Sequence, residues 1–127
     1  MKIYIAAPYP VRDRAIILMQ SLESAGHEVT STWLKSPDEM KDEFARLDLA
    51  DVARADALLA FNPEGWENAG TGGRHVELGY ALALDIPVFL LGTKSNIFHH
   101  LSHIQPVTEE NIARVLDWFE STYPSKL

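Results

Sequence analysis

The chain has 127 residues, of which 46% are hydrophobic and 23% are charged, a balance that predicts one globular domain over residues 1–127. The formal net charge of -7 argues against a nucleic-acid polymer as partner, because phosphate contacts need clustered Lys and Arg. The absence of cysteine excludes thiolate catalysis and disulfides. The first apolar run, residues 3–7, is too short for a signal peptide or a membrane span, so we expect a cytoplasmic protein without membrane contact.

The first third of the chain predicts two strands and a helix. Residues 2–7 form a short, β-branched apolar run that Pro8 ends, which is typical of a buried strand. Residues 13–25 carry apolar side chains at helical spacing, and Gly26 follows them as a C′ cap. Residues 27–33 alternate weakly and contain Val, Thr and Trp, which favours a second strand.

The middle of the chain predicts a second helix, a third strand and a long loop. Ser36-Pro37-Asp38-Glu39 combines an N-cap, a proline suited to the first helical position and a capping box, so the helix should begin there. It should end near Arg54. Residues 57–61 are apolar throughout and predict a buried strand. Residues 62–73 form a polar, glycine-rich loop, and loops of that length in a compact domain are usually functional or disordered.

The last third adds two strands and two helices. A helix containing Glu77 follows the loop, with apolar side chains at Val76, Tyr80 and Ala83. Residues 86–91 and 104–107 predict the fourth and fifth strands, and residues 96–101 predict one helical turn between them. Thr108 is expected to cap the last helix, whose inward side chains would be Ile112, Val115, Leu116 and Phe119.

Strands and helices therefore alternate five times, and the strands are apolar along their length, as strands covered on both faces are. This predicts an α/β three-layer sandwich with a five-stranded parallel sheet of flavodoxin-like order 2-1-3-4-5. Ligands bind such sheets beyond the carboxyl ends of the strands, at the switch point between the first and third strands. The loops at that edge are residues 7–12, 62–73 and 92–97, so the glycine loop and Glu77 should border the ligand site.

The segment Gly70-Thr71-Gly72-Gly73 and the following Glu77 are the first candidates for function. Glycines at three of four positions can adopt positive φ and let a ligand approach the backbone. Glu77 is expected in the first turn of its helix, where the dipole favours negative charge, so it should be ionised at neutral pH. Because first-turn glutamates are also common in ordinary helices, a catalytic role and a purely structural role remain alternatives.

Further candidates are an acidic triplet and a tyrosine. Asp51 is interpreted as part of a solvated helix face, Asp56 as a cap for backbone groups before a strand, and Asp48 is open to either interpretation. Tyr4 lies in the first strand beside the switch point, where a hydrogen-bonded core tyrosine is the alternative to a functional one.

Other common site types are disfavoured. His99 and His103 have the i, i+4 spacing of metal ligands, but no third ligand lies near them in sequence, so no metal and no cofactor is expected. No Gly-x-Ser-x-Gly elbow occurs. The glycine segment is neither a P-loop nor a dinucleotide fingerprint, which argues against NTP hydrolysis and nicotinamide redox chemistry.

The segment Gly73-Arg74-His75-Val76-Glu77-Leu78-Gly79-Tyr80-Ala81 resembles the active-site segment of the nucleoside 2-deoxyribosyltransferases and the related nucleotide N-glycohydrolases. Ile3-Tyr4-Ile5-Ala6 and Asp48-Leu49-Ala50-Asp51-Val52-Ala53-Arg54-Ala55-Asp56 extend the resemblance, which covers roughly residues 2–92.

The resemblance implies an enzyme that cleaves the N-glycosidic bond of a nucleoside or its 5′-monophosphate. Glu77 would attack C1′ of the (deoxy)ribose and displace the base, and a second base or water would resolve the covalent glycosyl-enzyme. Tyr4 would orient Glu77, and Asp48 would assist proton transfer at the base or bind the sugar. Such chemistry suits an ionised carboxylate, because bond cleavage develops oxocarbenium character.

One departure from the transferases concerns substrate binding. Many transferases carry an aspartate six residues before the nucleophile, and here that position is Thr71. In the hydrolase branch, a residue with a hydroxyl group stands at this position and helps bind the 5′-phosphate. Gly72 and Gly73 would add an N–H nest for that phosphate, and Arg12 is a second candidate phosphate contact. Trp66 would stack on the base or close the site, and Ala6 belongs to the matching first-strand segment and completes the expected substrate-binding residues.

Several alternatives stay open at this point. A strict nucleoside 5′-monophosphate N-glycohydrolase and a non-catalytic nucleotide-binding domain both fit the same residues, since a fold does not fix a function. The resemblance also implies a homo-oligomer, a dimer or larger. Base preference and the choice between ribose and deoxyribose are not determined.

Overall fold

Five parallel strands form a single sheet in residues 1–36 and 39–123, the ranges that the computed structural model describes. Their order is β2-β1-β3-β4-β5, which confirms the predicted flavodoxin-like α/β fold. The strands are β1 (Lys2–Ala6), β2 (Glu28–Val29), β3 (Ala57–Asn62), β4 (Val88–Gly92) and β5 (Ile104–Val107). The helices are α1 (Arg12–Ser24), α2 (Thr32–Lys35), α3 (Asp42–Ala53), α4 (Gly73–Ala83) and α5 (Ile112–Thr122), with 3₁₀ turns at Tyr9–Val11 and Ile97–His100.

The register of the sheet decides which side chains reach the functional edge. Ile5, Leu59 and Phe89 are register partners on the neighbouring strands β1, β3 and β4. The Phe89 ring packs edge-on against Phe119 of α5, with 5.3 Å between the ring centroids. Side chains alternate between faces along a strand, so Tyr4 projects to the opposite face, where α4 packs on β1 and β3. One buried strand therefore supplies core packing on one face and a polar hydroxyl on the other.

The second strand is much shorter than predicted, and Trp33 lies in helix α2 instead of a strand. The Ser31 hydroxyl accepts from the Ile5 N–H at 2.7 Å and the Trp33 indole donates to the Ile5 carbonyl at 3.0 Å, so side chains occupy the backbone groups that a longer β2 would pair. Asp51, predicted to be solvated, is buried and accepts from the Thr32 N–H at the start of α2 at 3.0 Å. That interpretation of Asp51 was wrong, because a carboxylate from α3 caps α2.

Helix α3 begins at Asp42, six residues after the predicted N-cap Ser36. Pro37 and Asp38 of the expected capping box lie outside the described residues, and Glu39 is not helical. Lys41 takes the N-cap position, and Asp42 and Glu43 place negative charge in the first turn, where the helix dipole favours it. The end of the helix, at Ala53, agrees with the prediction.

Several smaller predictions are confirmed. Gly26 follows α1 at φ +96°, Asp56 accepts from the Lys2 N–H at 2.8 Å, and a short helical turn spans Ile97–His100. Thr108 caps less directly than predicted: its hydroxyl accepts from Asn111 N–H, and Asn111 is the N-cap of α5. In the described part of the chain, no helix has the length and apolar character needed to cross a membrane.

The carboxyl ends of β3 and β4 meet at Gly92. Its φ is +122°, and a Cβ at this position would lie 2.0 Å from the carbonyl oxygen of Asn62. The Thr93 N–H donates to that same oxygen at 2.9 Å. Only glycine fits here, and the fit fixes the residues that follow β4 against the start of the loop after β3.

We therefore expect Gly92→Ala to lower the free energy of unfolding by more than Gly26→Ala does. Gly26 also has positive φ, but a Cβ there would meet no atom within 4 Å, so its replacement measures only the backbone strain, about 1–2 kcal/mol. Gly92→Ala adds a steric clash to that strain. Urea unfolding of the two variants separates the two effects, and equal losses of stability would contradict the close approach of Asn62 and Gly92.

Candidate active site

A cleft of about 750 Å³ opens at the carboxyl ends of β1 and β3, the edge that the strand order predicts for a ligand. Its walls come from the loop after β1, the chain leading into α3, and the glycine segment with the start of α4. Apolar side chains form one side of it, and Asp48, Thr71, Arg74 and Glu77 are among its polar lining residues.

Tyr4 and Glu77 form the central contact of the site. The Tyr4 hydroxyl donates to Oε2 of Glu77 at 2.6 Å, although the two residues are 73 positions apart in the chain. Tyr4 is fully buried in β1, whereas Glu77 is half-buried on α4 and lines the cleft. A rigid central strand thus fixes the direction of a carboxylate that faces the cavity.

Asp48 joins the same cleft from a different element. It is half-buried on α3, the helix that packs beside α4. Four carboxylates line the cavity: the exposed Glu39 and Asp42 form ion pairs with Lys41 and Arg46, and Asp48 and Glu77 are the two that are half-buried. Most enzymes that cleave glycosidic bonds use a pair of carboxyl groups in one cleft.

Glu77 is not in the first turn of its helix, which corrects the prediction. Helix α4 begins at Gly73, so Glu77 is its fifth residue, and the first turn carries no acidic side chain. The influence of the helix dipole fades within the first turn, so the surroundings of Glu77 are set by Tyr4 and the cleft rather than by the helix end. The buried side chains of α4 are Arg74, Leu78 and Ala81, whereas Val76 is exposed.

The glycine segment forms the turn into α4. Gly70 and Gly72 have φ values of +80° and +89°, as predicted for this segment, and Gly72 is the N-cap of α4. Thr71 and both flanking glycines line the cleft, and Thr71 is exposed. A helix start next to a hydroxyl is a setting in which an anion is stabilised, because the first N–H groups lack helical partners.

Arg74 lies directly behind this turn. Its guanidinium donates from Nη1 to the Ala69 carbonyl at 2.7 Å and from Nη2 to the Glu67 carbonyl. The residue is 8% exposed, and this burial lowers the pKa of the guanidinium. The loop after β3 is therefore tied to the helix that follows it.

A second set of contacts ties the loop to β4. Asn62 is buried and donates from Nδ2 to the Thr93 carbonyl at 2.7 Å and to the Ser95 hydroxyl at 3.0 Å. The Thr93 hydroxyl donates to the Glu67 carboxylate at 3.1 Å. Hydrogen bonds from the backbone N–H groups of Glu67 and Gly65 are the main cause of a lowered Glu67 pKa, with Thr93 adding to the effect.

Two histidines lie beside this network. The rings of His75 and His99 are 6.0 Å apart, and Nδ1 of the buried His99 accepts from the Ser95 N–H at 2.9 Å. Burial lowers the pKa of both rings, and the charges of Arg74 and, for His99, His75 act in the same direction. Among the described residues there is no group of three His, Asp or Glu side chains placed to hold a metal ion.

Three predicted substrate contacts lie elsewhere. The Arg12 guanidinium donates to the carbonyls of Trp33 and Leu34 at 3.0 and 2.9 Å, and the described residues that line the cleft do not include it. This geometry does not support a direct phosphate contact from Arg12. Ala6 is buried in β1, with Ala7 lining the cleft in its place, and Trp66 is exposed on the loop outside the cleft lining.

Sequence reasoning missed the aromatic and apolar wall of the cleft. Tyr9 and Trp33 have ring centroids 6.1 Å apart, and both line the cavity together with Met40 and Phe44. Trp33 was predicted in a strand and Met40 in a helix, so neither was a candidate for binding. The prolines that flank Tyr9 directly after β1 could have marked that residue, but no signal of this kind accompanies Trp33, Met40 or Phe44, which come from other parts of the chain.

Comparisons with known proteins find matches among solved structures. No protein-family model matches the chain, and a search of curated proteins also finds no match. Among solved structures, the CMP N-glycosidase BcmB of Clostridium botulinum aligns with a TM-score of 0.65 and 22% sequence identity, over 93% of this chain and 99% of that chain. At this identity the likeness shows a shared fold.

The histidine pair predicts a pH-dependent stability. The pKa of His99 is lowered in the folded protein, whereas in the unfolded chain this histidine has the ordinary value of about 6.5. As the pH falls, the unfolded chain therefore binds a proton at His99 before the folded protein does. Stability should therefore fall as the pH drops from about 7 to about 5. In His99→Asn, whose amide oxygen can still accept from Ser95, this decline in the free energy of unfolding should be smaller.

Urea unfolding at several pH values measures the slope for each variant. The matched control is His103→Asn at an exposed position, which should keep the wild-type slope. An unchanged slope in His99→Asn would show that His99 does not resist protonation in the fold.

Proposed function

We propose that the protein cleaves the N-glycosidic bond of a nucleoside or its 5′-monophosphate through a covalent glycosyl intermediate on Glu77. The observation that carries this proposal is the 2.6 Å hydrogen bond from Tyr4 to Glu77 at the edge of a cleft that also contains Asp48. The matching Glu-Leu-Gly-Tyr-Ala segment at residues 77–81 supports it. The fold shared with a protein described as a CMP N-glycosidase adds independent support.

In the proposed first step, a carboxylate oxygen of Glu77 attacks C1′ of the sugar. The C1′–N bond breaks, and its electron pair leaves with the base, which takes up a proton. Tyr4 holds Oε2 and so limits the rotation of the carboxylate, which favours attack from one direction. Asp48 is proposed to supply the proton to the base or to bind the sugar hydroxyls.

In the second step, water or a second base attacks C1′ and releases Glu77. Both displacements invert the anomeric carbon, so the product retains the original configuration. The apolar wall formed by Tyr9, Trp33, Met40 and Phe44 is suited to the flat face of a nucleobase. Transfer would require that wall to hold an acceptor base as well.

Thr71 is the feature that favours a phosphorylated substrate. Its exposed hydroxyl lies in the cleft next to the N-cap of α4, where an anion would meet unpaired N–H groups. A strict nucleoside 5′-monophosphate N-glycohydrolase is therefore the specific alternative within this proposal.

Replacement of the nucleophile gives the first test. We expect Glu77→Ala to lower the rate of base release by at least about 10³-fold, because no other group would form the glycosyl intermediate. Free base is measured by chromatography after incubation with a panel of nucleosides and their 5′-monophosphates. Glu43→Gln, an exposed substitution on α3, is the control for loss of a carboxylate and should keep full activity.

Two results would contradict the proposal. Retained turnover in Glu77→Ala would remove the nucleophile from the mechanism. Tight binding of a nucleotide by the wild-type protein without base release would instead favour a non-catalytic nucleotide-binding domain on the same fold.

The phosphate requirement gives a second test. We expect Thr71→Val to raise KM for 5′-monophosphates by about 10-fold while leaving turnover of the unphosphorylated nucleosides unchanged, because it removes one hydrogen bond to a charged group. The same panel, run with and without an added acceptor base, distinguishes hydrolysis from transfer. Efficient base exchange between unphosphorylated nucleosides, insensitive to Thr71→Val, would favour a transferase.

A further inference from the structure

We infer that Arg74 is a positioning residue, which holds the loop of residues 67–72 in the shape that presents Thr71 and Gly72 to the cleft. This inference rests on the proposed function for its catalytic readout, but its structural basis is independent of the reaction. Neither the resemblance of the surrounding segment nor the pattern of the sequence assigns a role to this arginine.

The two terminal nitrogens of the guanidinium join the loop to α4, the helix that follows it. Nη1 donates to the Ala69 carbonyl and Nη2 to the Glu67 carbonyl, two positions of the same loop separated by one residue. Arg74 is itself the second residue of α4. The side chain and residues 69–74 thus form a closed ring, and Thr71 and Gly72 lie within it.

The far side of the loop is held by a separate contact. The Glu67 carboxylate accepts from the Thr93 hydroxyl at 3.1 Å and from the Gly65 N–H at 3.0 Å. Glu67 is therefore fixed through its side chain by the β4 end and through its carbonyl by Arg74. Between Ala69 and the start of α4, the loop is held by the Arg74 side chain.

The chemistry of arginine suits this task better than that of lysine. A guanidinium presents several donors in a rigid plane and can bind two carbonyls at once, whereas an ammonium is a single, strongly hydrated point charge. Arg74 is more than nine-tenths buried, and its Nε has no hydrogen-bond partner among the described residues.

The kinetic test compares Arg74→Lys and Arg74→Gln with the wild type. Both variants should raise KM for a 5′-monophosphate by about 10-fold or more, because Thr71 and Gly72 lose their fixed positions. KM for the unphosphorylated nucleoside should rise by a smaller factor than KM for the 5′-monophosphate, because the guanidinium contacts the loop that carries Thr71 and does not contact Tyr4 or Glu77. Guanidinium ion at millimolar concentration should partly restore the KM of Arg74→Ala.

A matched control is available in Arg54. Its guanidinium also makes two anchoring contacts, to the Asp51 carboxylate at 3.1 Å and the Thr30 carbonyl at 3.0 Å, and it does not border the cleft. Arg54→Gln should therefore lower stability without changing KM for either substrate class. An equal rise in KM in Arg54→Gln and Arg74→Gln would overturn the inference.

Hydrogen–deuterium exchange supplies a readout that needs no activity. Backbone amides of residues 65–73 should exchange at least about 10-fold faster in Arg74→Lys than in the wild type, while those of β1 and β3 keep their protection. Unchanged exchange in this loop overturns the inference even if the enzyme is active. If the wild type releases no base from any substrate, the proposed function fails, and the exchange experiment still decides the role of Arg74.

Discussion

The hydrogen bond between Tyr4 and Glu77 is the interaction on which the site depends. It joins a buried strand in the interior of the sheet to a helix that begins at Gly73, beyond the long loop after β3. A carboxylate on a helix surface ordinarily samples several rotamers, and each flexible side chain that is ordered costs conformational entropy. Here the carboxylate of Glu77 is ordered in the free protein, because Tyr4, which donates to it, is immobilised by the packing of β1 between β2 and β3. The reacting group proposed for this protein is therefore oriented before any ligand arrives.

The loop after β3 is ordered by polar contacts rather than by a hydrophobic core. Asn62, Thr93, Ser95, Glu67 and Arg74 form contacts around it, and several of these residues are buried or half-buried. These contacts fix the carboxyl edge of the sheet, which is where the proposed chemistry takes place.

The sheet was predictable from sequence because its strands are continuously apolar and separated by clear turn signals, so the number and order of the strands and the approximate bounds of all except β2 agree with the prediction. The errors have local causes. β2 was predicted too long because the pattern of residues 27–33 does not reveal that Ser31 and Trp33 bind the backbone of Ile5. The start of α3 was misplaced because a strong capping signal at Ser36 carries no information about tertiary packing. At the site, only the family resemblance implied that Tyr4 orients Glu77, whereas the carbonyl contacts of Arg12 and Arg74 depend on side-chain paths that no periodicity encodes.

The strand order explains why two carboxylates and a tyrosine meet in one cleft. The crossovers from β2 to β3 and from β3 to β4 run in the same direction along the sheet, and parallel crossovers are right-handed, so α3 and α4 lie side by side on one face. The crossover from β1 to β2 runs the other way, which places α1 on the opposite face. Asp48 on α3 and Glu77 on α4 are thereby neighbours above β1 and β3, and Tyr4 is the β1 side chain that projects toward them. A sheet with β1 at its edge would keep every one of these residues and still separate the tyrosine from the carboxylate. The proposed catalytic group is thus a consequence of the switch in strand order, with the sequence supplying the side chains and the topology bringing them within hydrogen-bond distance.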